Sequence, residues 1–406
     1  PRAIADLAHG PVPVELDQEK AVLSIDNDGL PDLAITKKGK PVKSVPAALR
    51  KHEPFVELRT RAGALKKQVA RMRLALEHAM CRGDSFTADE LRSLFGHPAL
   101  RHMLQRLVFV GDGIMGYAGD DGRTLRDHAG AVEPIKPAEV LRLAHPTDLL
   151  ARDDWHAWQA DCFAAERIQP FKQVFRELYP RTTQEPDDAT STRRYAGHQV
   201  QPHQAAALLK TRGWVIHPEL GIRKTFHAEG LTAHLEMQGH YYTPAEVEGW
   251  TIETATFTKR GQFDPLSLGT IPARLFSEVM RDIDLIVSVA HRGGVDPEAS
   301  ASTIEMRASL LRETCRLLNL SNVRVEPPRV RIDGTRASYT LHLGSAGAAI
   351  GGRALVIVAV HAAHRGRLFL PFADADPKTA EVMSKALLLA RDQEIADPGI
   401  LEQIRR

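Results

Sequence analysis

Three acidic residues between positions 278 and 284 are the first candidates for chemistry. Glu278 and Asp282 are four residues apart, so on a helix they share one face, and Asp284 follows closely. Two carboxylates on one face can hold a hard divalent cation. With a basic residue such as Lys259 they would form a metal-dependent nuclease or phosphodiesterase site. The alternative, which we favour, is that these acids line the solvated face of an ordinary helix.

Two further pairs of candidate metal ligands lie near the C-terminus. His361 and His364 follow an apolar run at a spacing typical of zinc ligands, but zinc needs three or four ligands. Asp374 and Asp376 follow another apolar run, and Asp376 precedes a proline, as helix caps do. We therefore expect no bound metal and no cofactor. The other histidines that would have to converge on a metal are His198, His203, His227, His234 and His240.

A strongly basic stretch is the local feature that departs most from the chain average. Residues 37–73 contain twelve Lys or Arg and only two Glu, whereas the formal charge of the whole chain is +2. Such density can dock phosphates, or it can meet an acidic surface of an upstream domain or another protein. The third alternative is a plain solvated face. The basic residues that we expect to face outward from one helix are Lys66, Lys67, Arg71 and Arg73.

Composition and motifs exclude several classes of protein. The chain has 406 residues, of which 43% are hydrophobic and 26% charged, as in an ordinary globular protein. Its apolar runs are too short for a membrane span, and we expect no membrane partner. The sequence contains neither a nucleophile elbow nor a phosphate-binding glycine loop ahead of a helix. Three scattered cysteines and the lack of a signal peptide predict a cytoplasmic chain, and the first residue, Pro1, suggests a piece of a longer one.

Periodicity predicts an α+β fold in which helices pack on small mixed or antiparallel sheets, in at least two domains. An Asn/Asp/Gly turn between apolar runs predicts a hairpin within residues 21–45. Apolar residues at helical spacing predict helices over 62–82 and 87–106. Ser302 and Glu305 have the spacing of a capping box. Alternating apolar residues predict a second hairpin over 330–343.

The predicted domain organisation has four parts. Residues 181–194 lack any large apolar side chain, which is typical of a linker. The parts are an α+β domain over 1–180 with the hairpin and the basic helix, the linker over 181–194, a small α+β segment over 195–270, and a C-terminal α+β domain over 271–406.

Several stretches resemble the C-terminal region of MolR-like ("molybdate metabolism regulator-like") bacterial proteins. Among them are RIQPFKQVFREL (167–178), LFSEVMRDIDLIVSVA (275–290) and LPFADADPKTAEVMSKALLLARDQEIADPGILEQI (370–404). Such proteins often carry a WGR domain upstream, so the resemblance implies regulatory or stress-related work. Residues 212–214 read Arg-Gly-Trp and do not form a WGR motif. The resemblance implies no catalytic residues.

Together these observations predict a non-catalytic interaction module, with upstream domains of the same polypeptide, nucleic acid or an acidic protein surface as partners. The alternative is a metal-dependent hydrolase or nuclease that uses the acidic residues of 274–284.

Overall fold

The computed structural model of the protein describes residues 10–26, 30–217, 220–239, 249–290, 300–357, 369–373 and 377–405. The chain folds as two compact units. Unit 1 contains the residues up to His145 together with Arg167–Gln173, and unit 2 contains Pro146–Glu166 together with the residues from Val174 onward. The division does not fall at the predicted linker or at residue 270.

Unit 1 contains two antiparallel sheets, sheet A (β1–β4) and sheet B (β5–β10). In sheet A, Ala21 of β2 lies opposite Ile35 of β3, which confirms the predicted hairpin. The elements of unit 1 are β1 (Val12–Leu16), β2 (Glu19–Ile25), β3 (Pro31–Lys37), β4 (Lys40–Pro41), α1 (Ala47–Lys51), α2 (Glu53–Arg82), β5 (Ser85–Thr87), α3 (Ala88–Phe95), α4 (Pro98–Leu104), β6 (Val108–Val110), β7 (Met115–Ala118), β8 (Thr124–Arg126), β9 (Val132–Pro134) and β10 (Val140–Leu143).

Helix α2 carries the basic residues and has 30 residues, so it begins well before the predicted start at 62. Pro54 lies in its first turn, where a missing N–H costs nothing. It ends where Gly83 adopts a left-handed φ of 71°, because only glycine takes that conformation without strain. One stripe of the helix is buried in the core of unit 1 with residues of sheet A, and it includes Leu58, Leu65, Val69 and Leu76.

The helix predicted over 87–106 is two helices, α3 and α4. The break falls at Gly96 and His97, after which Pro98 starts α4. A proline has no N–H to continue the earlier helix, so the chain begins a new one there. The residues from Arg167 to Gln173 return to unit 1 because Gln173 is buried and bridges its strands. Its side-chain oxygen accepts a hydrogen bond from the Val108 N–H, and its side-chain nitrogen donates one to the Val108 C=O, both at 2.8 Å.

Unit 2 contains sheet C (β11–β16) and sheet D (β17–β21), both antiparallel. Its elements are α5 (Pro146–Ala151), α6 (Trp155–Ala164), β11 (Ser191–Thr192), β12 (Gln199–Val200), α7 (Pro202–Thr211), β13 (Val215–His217), β14 (Gly221–Phe226), β15 (Leu231–Gln238), β16 (Trp250–Lys259), α8 (Ala273–Ala290), α9 (Ala301–Leu317), β17 (Val323–Glu326), β18 (Arg329–Asp333), β19 (Ser338–His342), β20 (Ala348–Ile350), β21 (Arg353–Leu355), α10 (Pro377–Ala390) and α11 (Pro398–Arg405).

Helix α8 buries its apolar face in one core with sheet C and α7. This core joins residues on both sides of the predicted boundary at 270, for example Phe257 and Phe276, whose ring centroids are 6.2 Å apart. The predicted middle segment and the start of the predicted C-terminal domain are therefore parts of one packed body. The buried apolar residues of α8 are Leu275, Phe276, Val279, Met280, Ile283, Ile286 and Val287.

The segment 181–194 is mostly exposed, but it is anchored to unit 2 and does not separate two bodies. Glu185 is only 4% exposed and forms an ion pair with Arg194. Strand β11 within the segment pairs with β16. Tyr179 and Tyr195, on either side of it, belong to the same core. The lack of large apolar residues therefore marks a surface loop held by polar contacts.

Sheet D confirms the predicted hairpin over 330–343, with Val330 of β18 opposite Leu341 of β19. The predicted capping box at Ser302 is wrong. Helix α9 begins at Ala301, and the side chain of Ser300 accepts the hydrogen bond from the Thr303 N–H. Two serines within three residues offered competing caps, and the earlier one is used. The α+β fold with small antiparallel sheets is confirmed. Within the described ranges, no helix has the length and apolar character that a bilayer crossing requires.

Candidate functional site

The acidic residues of α8 are buried, so the expectation of a solvated helix face is wrong. Glu278 and Asp282 are 0% and 1% exposed. Their spacing does place them on one face, as predicted, since Arg212 reaches both carboxylates. This face lies against three cations: Lys224 of β14, Arg212 just after α7, and Arg176, which precedes the segment 181–194. The bound protein cations offset the cost of burying the charges.

Glu278 forms a bidentate ion pair with Arg176. The Nε of Arg176 donates to Oε1 at 2.6 Å, and its Nη2 donates to Oε2 at 2.7 Å. Neither side chain has any exposed surface. Two parallel charge-assisted bonds fix both the position and the orientation of the carboxylate. Arg212 adds a second positive charge, with its Nη2 3.9 Å from Oε2.

Asp282 accepts three hydrogen bonds, two from the turn that follows α7 and one from β14. Arg212 Nε donates to Oδ1 at 2.8 Å, and Oδ2 accepts from Trp214 Nε1 at 2.9 Å and from Lys224 Nζ at 2.7 Å. Burial alone would raise the pKa of this carboxyl, but the charges of Lys224 and Arg212 outweigh burial and hold the pKa below its usual value. Asp282 is therefore a fixed anion rather than a proton carrier.

The environment of Asp284 differs from those of Glu278 and Asp282. Its Oδ2 accepts hydrogen bonds from the hydroxyls of Tyr179, at 2.6 Å, and Ser300, at 3.0 Å. Burial raises the pKa of this carboxyl more than the hydroxyl bonds lower it. Because Ser300 also caps α9, Asp284 ties the start of that helix to α8.

The arrangement leaves these carboxylates little capacity for catalysis. The oxygen atoms of Glu278 and Asp282 are already bonded to guanidinium, indole and ammonium groups. A substrate or cation would have to displace those groups, because the two side chains have no exposed surface. Lys259, the basic partner suggested from the sequence, lies instead at the end of β16.

The predicted basic residues of α2 are exposed. Lys67 and Arg71 project from the side of the helix opposite the buried stripe, and Lys66 and Arg73 project from one edge of that stripe. None of the four forms an ion pair within the described part of the chain. From Leu58 to Leu76 the helix contains no acidic residue. This face therefore presents uncompensated positive charge to its surroundings.

The remaining candidates are the histidines and the C-terminal pair of aspartates. His361, His364, Asp374 and Asp376 lie outside the described residues, as does His240. His234 is described, and its Nε2 contacts the hydroxyl of Thr258 at 3.0 Å on the neighbouring strand. Among the described ranges, no three His, Cys, Asp or Glu side chains are grouped as ligands of one metal ion would be.

The cations of the buried network were missed in the sequence, although two signals mark them. In β14, Lys224 lies two residues from Ile222 and two from Phe226, so all three are on the same face of the strand. Because Ile222 and Phe226 are apolar and buried, the Lys224 side chain must also point into the core. Arg176 directly follows the buried Phe175 in a stretch with no exposed residue. A charged residue at a core position of a pattern requires a buried partner of opposite charge.

Comparison with known proteins adds two matches. Residues 39–214 match a family described as a domain of unknown function (DUF4132), and residues 304–404 match a second such family (DUF7737). No curated protein and no solved structure matched the chain. The basic face of α2 lies inside the first matched region. The network draws Arg176 and Arg212 from that region, whereas Glu278 and Asp282 lie between the two matches.

Proposed function

We propose that this chain is a non-catalytic interaction region that binds an anionic partner through the exposed basic face of α2. In this proposal the region belongs to a larger, cytoplasmic bacterial protein of the MolR-like, WGR-associated kind with regulatory or stress-related work. The observation that carries the binding role is the exposure of Lys66, Lys67, Arg71 and Arg73 on a helix without a compensating acid over nineteen residues, Leu58 to Leu76.

Simple electrostatics supports this role. Charges on one helix face lie within about one Debye length of their neighbours at physiological salt, so their fields add. Like charges at such spacing repel one another and slightly destabilise an isolated helix. An anionic partner removes that repulsion and releases counterions, and both effects favour binding.

The hydrolase alternative has weaker support. It requires the acids of α8 to be available to a metal ion or a substrate. Each oxygen of Glu278 and Asp282 is instead held by a protein cation or N–H group. Four cations, Arg176, Arg212, Lys224 and Arg281, form ion pairs with three acids, Glu278, Asp282 and Glu177. Such a network fixes α8 within unit 2.

The binding role can be tested with a variant in which Lys66, Lys67, Arg71 and Arg73 are all replaced by Gln. Gln keeps the helix propensity, and the four sites lie off the buried stripe, so the fold should survive. The probes are polyglutamate and mixed-sequence duplex DNA, titrated at low and moderate salt. Wild type should bind at least one of them with an affinity that falls with salt, and the variant should bind about tenfold more weakly.

A matched control removes the same charge elsewhere. Lys210, Lys259, Arg260 and Arg353 are exposed residues of unit 2, and their replacement by Gln should change affinity less than about twofold. If wild type binds neither probe, or if both quadruple variants weaken binding equally, the basic face of α2 is not the binding surface.

A further inference from the structure

The solvent face of α2 has exposed apolar residues, small residues and cations spaced by seven, which simple phosphate binding does not require. Its midline, opposite the buried stripe, runs through the positions at which a second helix would contact α2. All of them are exposed. We call these positions the seam: Val56, Thr60, Gly63, Lys67, Ala70 and Leu74.

We propose that the occupant of this face is an acidic amphipathic helix that lies along α2. This inference rests on the proposed function and names the class of partner. A helix is favoured because small residues, Gly63 and Ala70, lie where a second helix would approach α2, and cations recur every seven residues beside them. From Val56 to Leu74 the seam is about 27 Å long at 1.5 Å per residue, which a partner helix of about 20 residues would span.

The seam offers apolar contacts at its ends and close approach between them. Val56 and Leu74 are 46% and 40% exposed, so each presents apolar surface to a partner that lies along the seam. Gly63 and Ala70 lie between them. A shallow trough with apolar ends is suited to another helix, whose side chains fill the space above the small residues.

Gly63 supports this reading independently of the charges. A glycine in the middle of an exposed helix costs about 1 kcal/mol relative to alanine. No neighbouring element among the described residues requires it, since a Cβ built at Gly63 would meet none of their atoms within 4 Å. A close approach from outside the chain provides a reason for a residue without a side chain at this position.

The charges flank the seam with the same period. Arg59, Lys66 and Arg73 are spaced by seven residues and line one side, and all three are exposed. In coiled coils the positions beside the seam select the partner through ion pairs. Three cations in register, with Lys67 and Arg71 nearby, therefore match a partner with Glu or Asp beside its own apolar seam.

The test uses a synthetic 21-residue peptide with leucine at its seam positions and glutamate at the flanking positions. Its control is a scrambled peptide of identical composition. We expect the full chain to bind the amphipathic peptide and to increase its helical circular dichroism. Replacing Arg59, Lys66 and Arg73 with Gln should weaken binding about tenfold, whereas replacing Lys210, Arg260 and Arg353 should not.

A second variant separates helix docking from general attraction. Gly63→Arg adds a positive charge, so electrostatics alone predicts equal or tighter binding of the acidic peptide. Docking predicts weaker binding, by about fivefold or more, because the side chain occupies the point of closest approach. Gly63→Ala, which adds only one methyl group at this point, should weaken binding less than Gly63→Arg does.

The possible results lead to different conclusions. If the scrambled peptide binds as tightly, or Gly63→Arg is not weaker, the partner is not a docked helix, although anion binding by α2 stands. If duplex DNA binds and the peptide does not, the partner is a phosphate backbone. If neither binds, this inference and the proposed function both fail.

Discussion

Removal of Arg176 should be one of the most damaging single substitutions in unit 2. Arg176→Met leaves the Glu278 carboxylate in the core without its two short bonds, and Arg212, 3.9 Å away, stays more distant than the lost partner. Breaking a buried ion pair from one side costs about 3–5 kcal/mol, because the other charge stays desolvated. We expect a loss in that range in the free energy of unfolding of unit 2.

The assay follows urea unfolding by tryptophan fluorescence. All four tryptophans, Trp155, Trp158, Trp214 and Trp250, lie in unit 2, so their emission reports on that unit alone. The control is the double variant Arg176→Met/Glu278→Leu, which removes both charges. Replacement of a buried pair by apolar residues is often close to neutral, so the double variant should regain most of the loss.

Two results would refute this reasoning. A loss below about 1 kcal/mol for Arg176→Met would mean that Glu278 tolerates burial without its partner, as a protonated or hydrated acid does. A double variant no more stable than the single one would mean that Arg176 acts through packing rather than charge. Either result would make the acids of α8 available for another role.

Three further predictions follow from single residues. The folded-state pKa of Asp282 lies below its usual value, so its ionised form contributes stability that is present above about pH 4 and is lost as the pH falls further. Asp282→Asn should therefore reduce the acid-side slope when the unfolding midpoint of unit 2 is plotted against pH. An unchanged slope would contradict this. Leu341→Ala should cost about 2–5 kcal/mol in urea unfolding because Leu341 is 0% exposed, and a cost below about 0.5 kcal/mol would remove it from the core. Gly63→Ala should stabilise unit 1 by about 0.5–1 kcal/mol, measured by circular dichroism during thermal unfolding, and a destabilised variant would show that the space around Gly63 is occupied.

Local sequence patterns predicted the elements better than the site. The end of α2 follows from Gly83, and the hairpin of Val330 and Leu341 follows from alternation, because both signals lie within a few residues of the structure they specify. The acid network could not be found in the same way. Arg176 and Glu278 are 102 residues apart in the chain, and only the folded core brings them together.

The same distinction explains the error about the acids of α8. Glu278 and Asp282 occupy a helix whose opposite side is strongly apolar, which is typical of a surface helix with a solvated polar face. Their burial depends on Lys224 and Arg212, which come from other elements of unit 2. The basic face of α2 could be predicted because no other element of the described ranges covers it, so the local pattern alone determines which side chains point outward.

The location of the binding surface is the claim to test most directly, and lysine footprinting does so. The full chain is treated with an amine-acylating reagent, with and without whichever polyanion it binds at low salt, and modification is quantified by mass spectrometry. We predict that Lys66 and Lys67 become protected while Lys210 and Lys259, which are also exposed, keep their rates of modification. Equal labelling of Lys66 and Lys67 in the free and bound states would contradict it.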